Sequence, residues 1–329
     1  MKNNSLILLV SLIGMIYASN LYGQSRPQAT GDLYIRDPFI VTDAQKGIYY
    51  MYGSSSQKGR EGQTIGGVAV YKSRDLKTWE GPQQVFTVPE DNWITGMVWA
   101  PEVHVYNGRY YLFATLNSDI EWKKRREGWS AYTFRGTQIF HADAPEGPFL
   151  PFGRTPHTPM DYMALDGTLW VEDGTPWMVF CHEWVQMTDG TMDAVELKPD
   201  LSAPVGRPFS LFCASSAPWA PEGNKYYVTD GCFVYRTKAG KLLMIWSSFS
   251  QEGYAIGIAE STTGKITGPW KQHPEPLFNQ NGGHGMIFHT FDGKLCIAFH
   301  QPNSGGAERA HIYELEDTGH TLLLKQELK

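Results

Sequence analysis

The chain has 329 residues, with 34 Asp and Glu against 28 Lys and Arg and a formal net charge of -6. That balance offers no basic face and argues against a nucleic-acid partner. Aromatic residues make up 13% of the chain, including 11 Trp, which suits a heavily packed β architecture and a surface able to stack on sugar rings. The N-terminus reads as a targeting segment. Lys2 is followed by an apolar run from Leu6 to Ala18 and then by Ser19, Asn20 and Gly23, so residues 1–23 are expected to be a signal peptide and residues 24–329 one exported domain, periplasmic or extracellular. No later stretch approaches the roughly 18 uncharged apolar residues that a membrane span needs.

Five hairpin patterns follow in order. They begin at Arg36 (RDPFIVTDAQKGIYYMYG), Ala100 (APEVHVYNGRYYLFAT), Leu165 (LDGTLWVEDGTPWMVF), Thr229 (TDGCFVYRTKAGKLLMIW) and Gly283 (GHGMIFHTFDGKLCIAF). Each pairs two β-branched and aromatic runs across a Gly-containing turn. Return strands beginning at Tyr49, Tyr110, Trp177, Leu242 and Leu295 are separated by 61, 67, 65 and 53 residues. A period of that size in a β-rich chain predicts an all-β, five-bladed propeller of four-stranded antiparallel blades. Outer strands are supplied by segments such as Gly67 to Lys72 and Gln84 to Thr87 in the first unit and by the run from Arg309 onward in the last. The last unit is expected to hold four strands of its own, so no exchanged strand is needed to close the ring.

Asp37, Glu102, Asp166, Asp230 and His284 open the five units. Innermost strands line the axis of a propeller, so equivalent positions at their starts form a ring at one mouth. Taken singly, each Asp is an ordinary turn residue; five ionisable groups in one register point to a site. Two polar or basic loops, Ser54 to Gly67 and Ser118 to Thr137, read either as solvated connections or as rims of the same mouth. The four Cys lie in different units with no CxxC pair, which favours buried free thiols over disulfides or zinc. His182-Glu183 begins a zinc-protease pattern, but Gln186 stands where its second His belongs, so that reading is discarded.

Arg36-Asp37-Pro38, Trp99-Ala100-Pro101-Glu102, Asp166 in LDGTLW and the His284-Gly285 pair together resemble glycoside hydrolase family 43, in the family's order and across essentially the whole mature chain. The resemblance implies an inverting glycosidase acting on plant cell-wall polysaccharides or oligosaccharides. α-L-Arabinofuranosidase stands first, with β-xylosidase, endo-arabinanase, β-galactosidase or a non-catalytic glycan-binding propeller as alternatives, and arabinan or xylan as the carbohydrate partner. By position, Asp37 resembles the general base and Asp166 the carboxylate that tunes and orients the acid. The acid position, where the family usually shows Glu, holds Asp230-Gly231-Cys232. Asp is one methylene shorter, so the acid is either Asp230 on a backbone that lies closer to substrate or Glu222 in the nearby APEGNKY. Phe39, Trp99, Glu102 and Trp122 are the expected substrate contacts. No cofactor is required. The resemblance also allows a calcium ion in the channel, which His284 would meet through water because calcium prefers oxygen ligands.

The chemistry asks for one carboxyl protonated near neutrality and another ionised. Inversion further requires roughly 6.5–9.5 Å between the two, against about 5 Å for retention. Carboxylates crowded into a narrow channel supply the first condition by mutual repulsion.

Overall fold

All five hairpins are present. They are Phe39–Asp43 with Ile48–Lys58, Met97–Tyr106 with Arg109–Lys123, Ala164–Glu172 with Thr175–His182, Asp230–Arg236 with Leu242–Ser250, and Gly283–His289 with Leu295–Gln301. The structure is a computed structural model that describes residues 26–328 other than 60, 61 and 95, so the expected signal peptide lies outside the described residues. Each hairpin extends outward through two more antiparallel strands to form a sheet, and the sheets are five. Each innermost strand packs against the innermost strands of the preceding and following sheets, and the fifth returns to the first. The result is the five-bladed propeller that the hairpin period predicts.

Apolar side chains fill the spaces between blades. One buried layer joins Ile40, Met51 and Val68 of blade one to Val103 and Leu112 of blade two and to Met286 and Ala298 of blade five. Others join blades three and four through Val179, Cys181, Met244 and Trp246, and blades four and five through Ile245, Ile256 and Ile297. Strand alternation explains this arrangement, because a blade sandwiched between two neighbours must be apolar on both faces. Trp79 of blade one and Trp246 of blade four are fully buried, and the Trp246 indole N–H donates to Gln272 Oε1 at 3.0 Å.

Ring closure needs no exchanged strand, since blade five is complete with Arg309–Asp317 and Leu322–Glu327. The N-terminal segment instead acts as a strap. Gln28–Ala29 adds a short fifth strand to the outer edge of blade one, opposite Trp79 and Thr78. A turn at Thr30–Asp32 follows, and Tyr34 then bridges to Arg309 of blade five. The fourth strand of blade one runs over Thr78–Thr87 and is longer than the expected Gln84 to Thr87, because Trp79 is anchored in the core and its N–H donates to Thr30 Oγ1. Cys213 ends the fourth strand of blade three, Pro204–Cys213. All four thiols are free, with Cys181, Cys232 and Cys296 buried and Cys213 half-buried.

Leu33, 1% exposed, is the apolar anchor of the strap. Leu33→Ala is expected to lower the unfolding free energy by about 2–5 kcal/mol in urea denaturation. A loss below about 1 kcal/mol would show that the strap does not hold the ring closed.

Candidate active site

Four of the five innermost strands carry a bulge near their start. In blades two to five the ladder skips two residues, between Trp99 and Glu102, Leu165 and Thr168, Asp230 and Phe233, and Gly283 and Met286. The first skipped residue is left-handed in every case: Ala100 at φ 40°, Asp166 at 56°, Gly231 at 47° and His284 at 57°. Asp37, just ahead of Phe39 in blade one, matches them at 52°. A bulge re-aims the side chain it carries, and left-handed residues other than glycine persist where the surroundings hold them in place, often at functional sites.

This register corrects the sequence-based expectation of five equivalent openings. Asp37, Asp166 and His284 occupy the bulge position. Asp230 stands one residue before it, in line with Arg36, Trp99 and Leu165. Glu102 stands two residues after it, in line with Phe39. The distinction decides which side chains reach the cavity at the mouth of the ring, whose volume is about 610 Å³. Residues at the bulge (Asp37, Asp166, His284) and before it (Arg36, Trp99, Leu165, Asp230) line the cavity, and neither Glu102 nor Phe39 does. Both of these turn into the channel, where Glu102 Oε2 lies 2.7 Å from His104 Nε2 and Phe39 packs edge-on to the His104 ring at 5.0 Å.

Blade four explains its own exception. A Cβ at Gly231 would come within 2.7 Å of His284 Cγ and 2.8 Å of His284 Cα, so only glycine fits the bulge there. The blade-four carboxylate therefore comes from the residue before the bulge.

His284 stands between two of the acids, with Nδ1 3.3 Å from Asp37 Oδ1 and 3.7 Å from Asp166 Oδ2. Fully buried His300 approaches Asp37 Oδ1 through its own Nδ1 at 3.0 Å, and Arg36 flanks Asp37 Oδ2 at 3.6 Å while pairing with buried Glu308 at 3.0 Å. Asp166 Oδ2 accepts the Gly231 N–H at 3.0 Å, and Asp230 Oδ2 accepts the Tyr254 hydroxyl at 3.0 Å. Across the cavity, Glu183 pairs with Arg135. The Arg135 guanidinium also accompanies the Trp99 indole, 4.3 Å from the ring centre.

These surroundings drive the carboxyls apart in proton affinity. Burial pushes Asp37 up, but the His284 and His300 imidazoles and the Arg36 guanidinium outweigh it and hold its carboxyl well below the usual range. Burial is also the main influence on Asp166, and there it prevails: with Asp230 and Asp37 as like-charged neighbours, its pKa is raised to about 7 despite His284. Asp230 is likewise raised by burial against the pull of His284 and the Tyr254 hydroxyl. His284 is raised, since Asp37, Asp166, Glu102 and Asp230 together overcome its desolvation. The site thus holds one firmly ionised carboxylate beside two reluctant ones, the division that acid–base chemistry requires.

The remaining sequence candidates separate cleanly. Trp99 lines the cavity. Trp122 does not; it packs on Tyr132 and Phe134 and donates to Thr133 O, within an extension of the blade-two hairpin. Glu222 is exposed and outside the cavity lining. The basic segment beyond Ser118 is mostly strand, with pairing continued as far as Lys123 and Tyr132. Its tip is tied to blade three by Arg126 and Trp129 donors on Val185 O. Sequence reasoning missed Glu183, Arg135, Tyr254 and His300. His182-Glu183 had been singled out only as a failed zinc motif, and the His182 ring is in fact held by Gln186 Oε1 at 3.0 Å and stacked on Tyr162.

The family model for glycosyl hydrolases family 43 matches residues 30–326. The chain belongs to that family. It is 24% identical over 223 residues to the extracellular endo-alpha-(1->5)-L-arabinanase 1 of Bacillus subtilis, covering 65% of this chain and 64% of that protein. With alpha-L-arabinofuranosidase 43 of Humicola insolens it shares 26% identity over 275 residues, covering 78% of this chain and 52% of that protein. The chain thus spans less than two thirds of the length of either relative. A solved endo-arabinase from Bacteroides thetaiotaomicron superposes with a TM-score of 0.78 at 38% identity, covering 91% of this chain and 100% of that one.

A channel calcium would need a shell of oxygen ligands. Among the described residues, no group of three or more His, Cys, Asp or Glu is arranged to hold a metal ion. The His284 nitrogen facing the site is engaged by Asp37 and Asp166, and Glu102 by His104. Among the described residues of this family-43 site, a cation would thus find no ready cluster of three or more such side chains to hold it.

Asp166 carries a stability signature. Its carboxyl titrates near 7 in the fold against a reference value of 3.8, so the folded chain keeps a proton that the unfolded chain releases. The native state is accordingly weakened as pH rises through that window. Asp166→Asn keeps the shape without the charge, and its advantage in melting temperature over the parent is expected to grow between pH 4 and pH 8. A constant offset would mean that Asp166 is ionised throughout.

Proposed function

We propose that the protein is an inverting glycoside hydrolase that cleaves α-L-arabinofuranosyl bonds of plant cell-wall glycans. The observation that carries this reading is the convergence of Asp37, Asp166 and Asp230 on one cavity, with the first held ionised and the other two pushed toward protonation. The sugar assignment rests on the relatives above being named arabinanase and arabinofuranosidase, most of all on the endo-arabinase that matches over nearly the full length of both chains. We also read the protein as exported, to the periplasm or the medium, on the apolar segment from Leu6 to Ala18 and on the extracellular Bacillus relative.

In the proposed reaction Asp37 accepts a proton from water as the water oxygen bonds to the anomeric carbon. Asp230 gives its proton to the glycosidic oxygen as the bond from that oxygen to the anomeric carbon breaks. Water attack from the face opposite the leaving group inverts the configuration. The two carboxyls finish with their protons exchanged and are reset by solvent. Arg36, His284 and His300 keep Asp37 an anion ready to accept. Asp166 has a different part: its oxygen on the Gly231 N–H ties the blade-three bulge to the residue after Asp230, and as a like-charged neighbour of Asp230 it is one of two carboxyls that resist ionising together. Tyr254 fixes the direction of the Asp230 carboxyl. Trp99, steadied by Arg135, offers an indole face on which a furanose can stack.

Asp37→Asn and Asp230→Asn are each expected to lower kcat on arabinan about 100- to 10,000-fold, the usual weight of a proton-transfer group. Glu222→Gln should stay within about twofold. On an aryl arabinofuranoside whose leaving group needs little protonation, Asp230→Asn should recover much of its loss while Asp37→Asn should not. Loss confined to Glu222→Gln would reassign the acid. Silence of the unmodified protein on arabinan and on aryl arabinofuranosides would leave a glycan-binding propeller.

A further inference from the structure

The catalytic cavity is not closed on all sides. On the side of blades three and four it meets a second depression of about 350 Å³, formed by Asn224, Lys225, Tyr226, Val228, Ser248 and Phe249. Tyr226, Val228 and Phe249 belong to both. We propose that this depression is a sugar subsite on the leaving-group side of the scissile bond, which holds a further residue of the same glycan chain against the rings of Tyr226 and Phe249. The proposal rests on the hydrolase reading above and deepens it by specifying a chain, not a small aglycone, as the substrate.

Two aromatic side chains stand open to solvent here, Tyr226 at 39% and Phe249 at 42% exposure. An exposed aromatic pair is a liability unless something covers it. Both rings are held rigid. Tyr226 stacks on Trp184, with centroids 3.9 Å apart and planes at 17°, and Trp129 meets it edge-on at 5.6 Å. The Trp129 support is fixed in turn by its indole N–H on Val185 O at 2.8 Å and by Lys225, whose Nζ lies 4.9 Å from the ring centre and donates to Gly128 O. Phe249 packs on fully buried Tyr254 at 5.3 Å. A ring fixed before binding costs little entropy when a sugar's C–H face settles on it, and the exposed amide of Asn224 at the edge suits the sugar's hydroxyl groups.

The side of the bond follows from Tyr254. The same ring that supports Phe249 donates its hydroxyl to Asp230, the proposed acid. The acid protonates the leaving oxygen, so a platform adjoining it receives what leaves. The ring that directs the proton donor thus also buttresses the surface for the departing sugar.

The test compares two substrates for Tyr226→Ala, Phe249→Ala and the conservative Tyr226→Phe. One is α-L-arabinofuranosyl fluoride, whose one-atom leaving group cannot reach the platform; the other is a linear α-1,5-arabino-oligosaccharide. The ratio of kcat/KM for the oligosaccharide to that for the fluoride should fall at least tenfold in both alanine variants, mainly through KM, and return to within threefold of the parent in Tyr226→Phe. An unchanged ratio would overturn the subsite. Failure of the parent protein to turn over the fluoride or the oligosaccharide would instead count against the hydrolase reading. In that case, titration of the oligosaccharide into the parent and Tyr226→Ala proteins, followed by tryptophan fluorescence, decides the subsite: at least tenfold weaker binding in the variant supports it, and equal binding overturns it.

Discussion

The site depends on one electrostatic arrangement: an imidazole wedged between two carboxylates that would otherwise repel each other. His284 faces Asp37 and Asp166 at hydrogen-bonding or near-bonding distance, in surroundings where both acids are largely removed from water. Without a positive partner, three buried acids converging on a single cavity would all gain protons, and none would be left as a base. The imidazole does not act evenly. Asp37 receives His284, His300 and Arg36 together, whereas Asp166 has His284 and one backbone N–H against two acidic neighbours. The same burial therefore leaves one acid ionised and the other protonated near neutrality, and the difference lies in how many imidazole and guanidinium groups face each against how many carboxyls.

Symmetry brings these groups together, and departures from symmetry give them different roles. Four bulges of the same kind, each with a left-handed first residue, and the matching left-handed Asp37 ahead of the blade-one strand bring five equivalent positions to one mouth. A propeller built of identical units would place five identical side chains there. This chain places Asp, Ala, Asp, Gly and His at the bulge, and Arg, Trp, Leu, Asp and Gly just before it. Every side chain before the bulge other than the glycine lines the cavity, as does every ionisable one at the bulge. Two sets of residues thus share the mouth, and together they supply the proposed base, the proposed acid and the imidazole and guanidinium beside them.

This layering separates what the sequence makes legible from what it hides. Hairpins show in the chain because alternation and turn residues are local, and their spacing is enough to give blade number and order. Asp37, Asp166 and Asp230 are visible as acids at strand entrances. The one-residue offset of Asp230, the inward turn of Glu102 and Phe39 and the distance of Trp122 from the cavity are not, because each depends on where the ladder skips. A signal was nevertheless present: aligning the five units on their return strands, not on their acids, puts Gly231 and not Asp230 opposite Asp166. Glu183, Arg135, Tyr254 and His300 were hidden for another reason. They come from second and third strands or just beyond them, where no repeat marks them, and only the closing of the ring brings them to the mouth.

The Asp at the proposed acid position follows from the same geometry. His284 must sit close to the blade-four bulge to reach Asp37 and Asp166, and its ring leaves no space for a Cβ at Gly231. A carboxylate on blade four can therefore come only from a flanking residue. The preceding position, paired with Ser247 across the ladder, already faces the cavity, as its counterparts Arg36, Trp99 and Leu165 show. A short side chain there has few rotamers, and the Tyr254 hydroxyl selects among them. What Asp230 gives up in reach against a Glu it regains in fixed direction, and proton transfer to a positioned oxygen rewards direction.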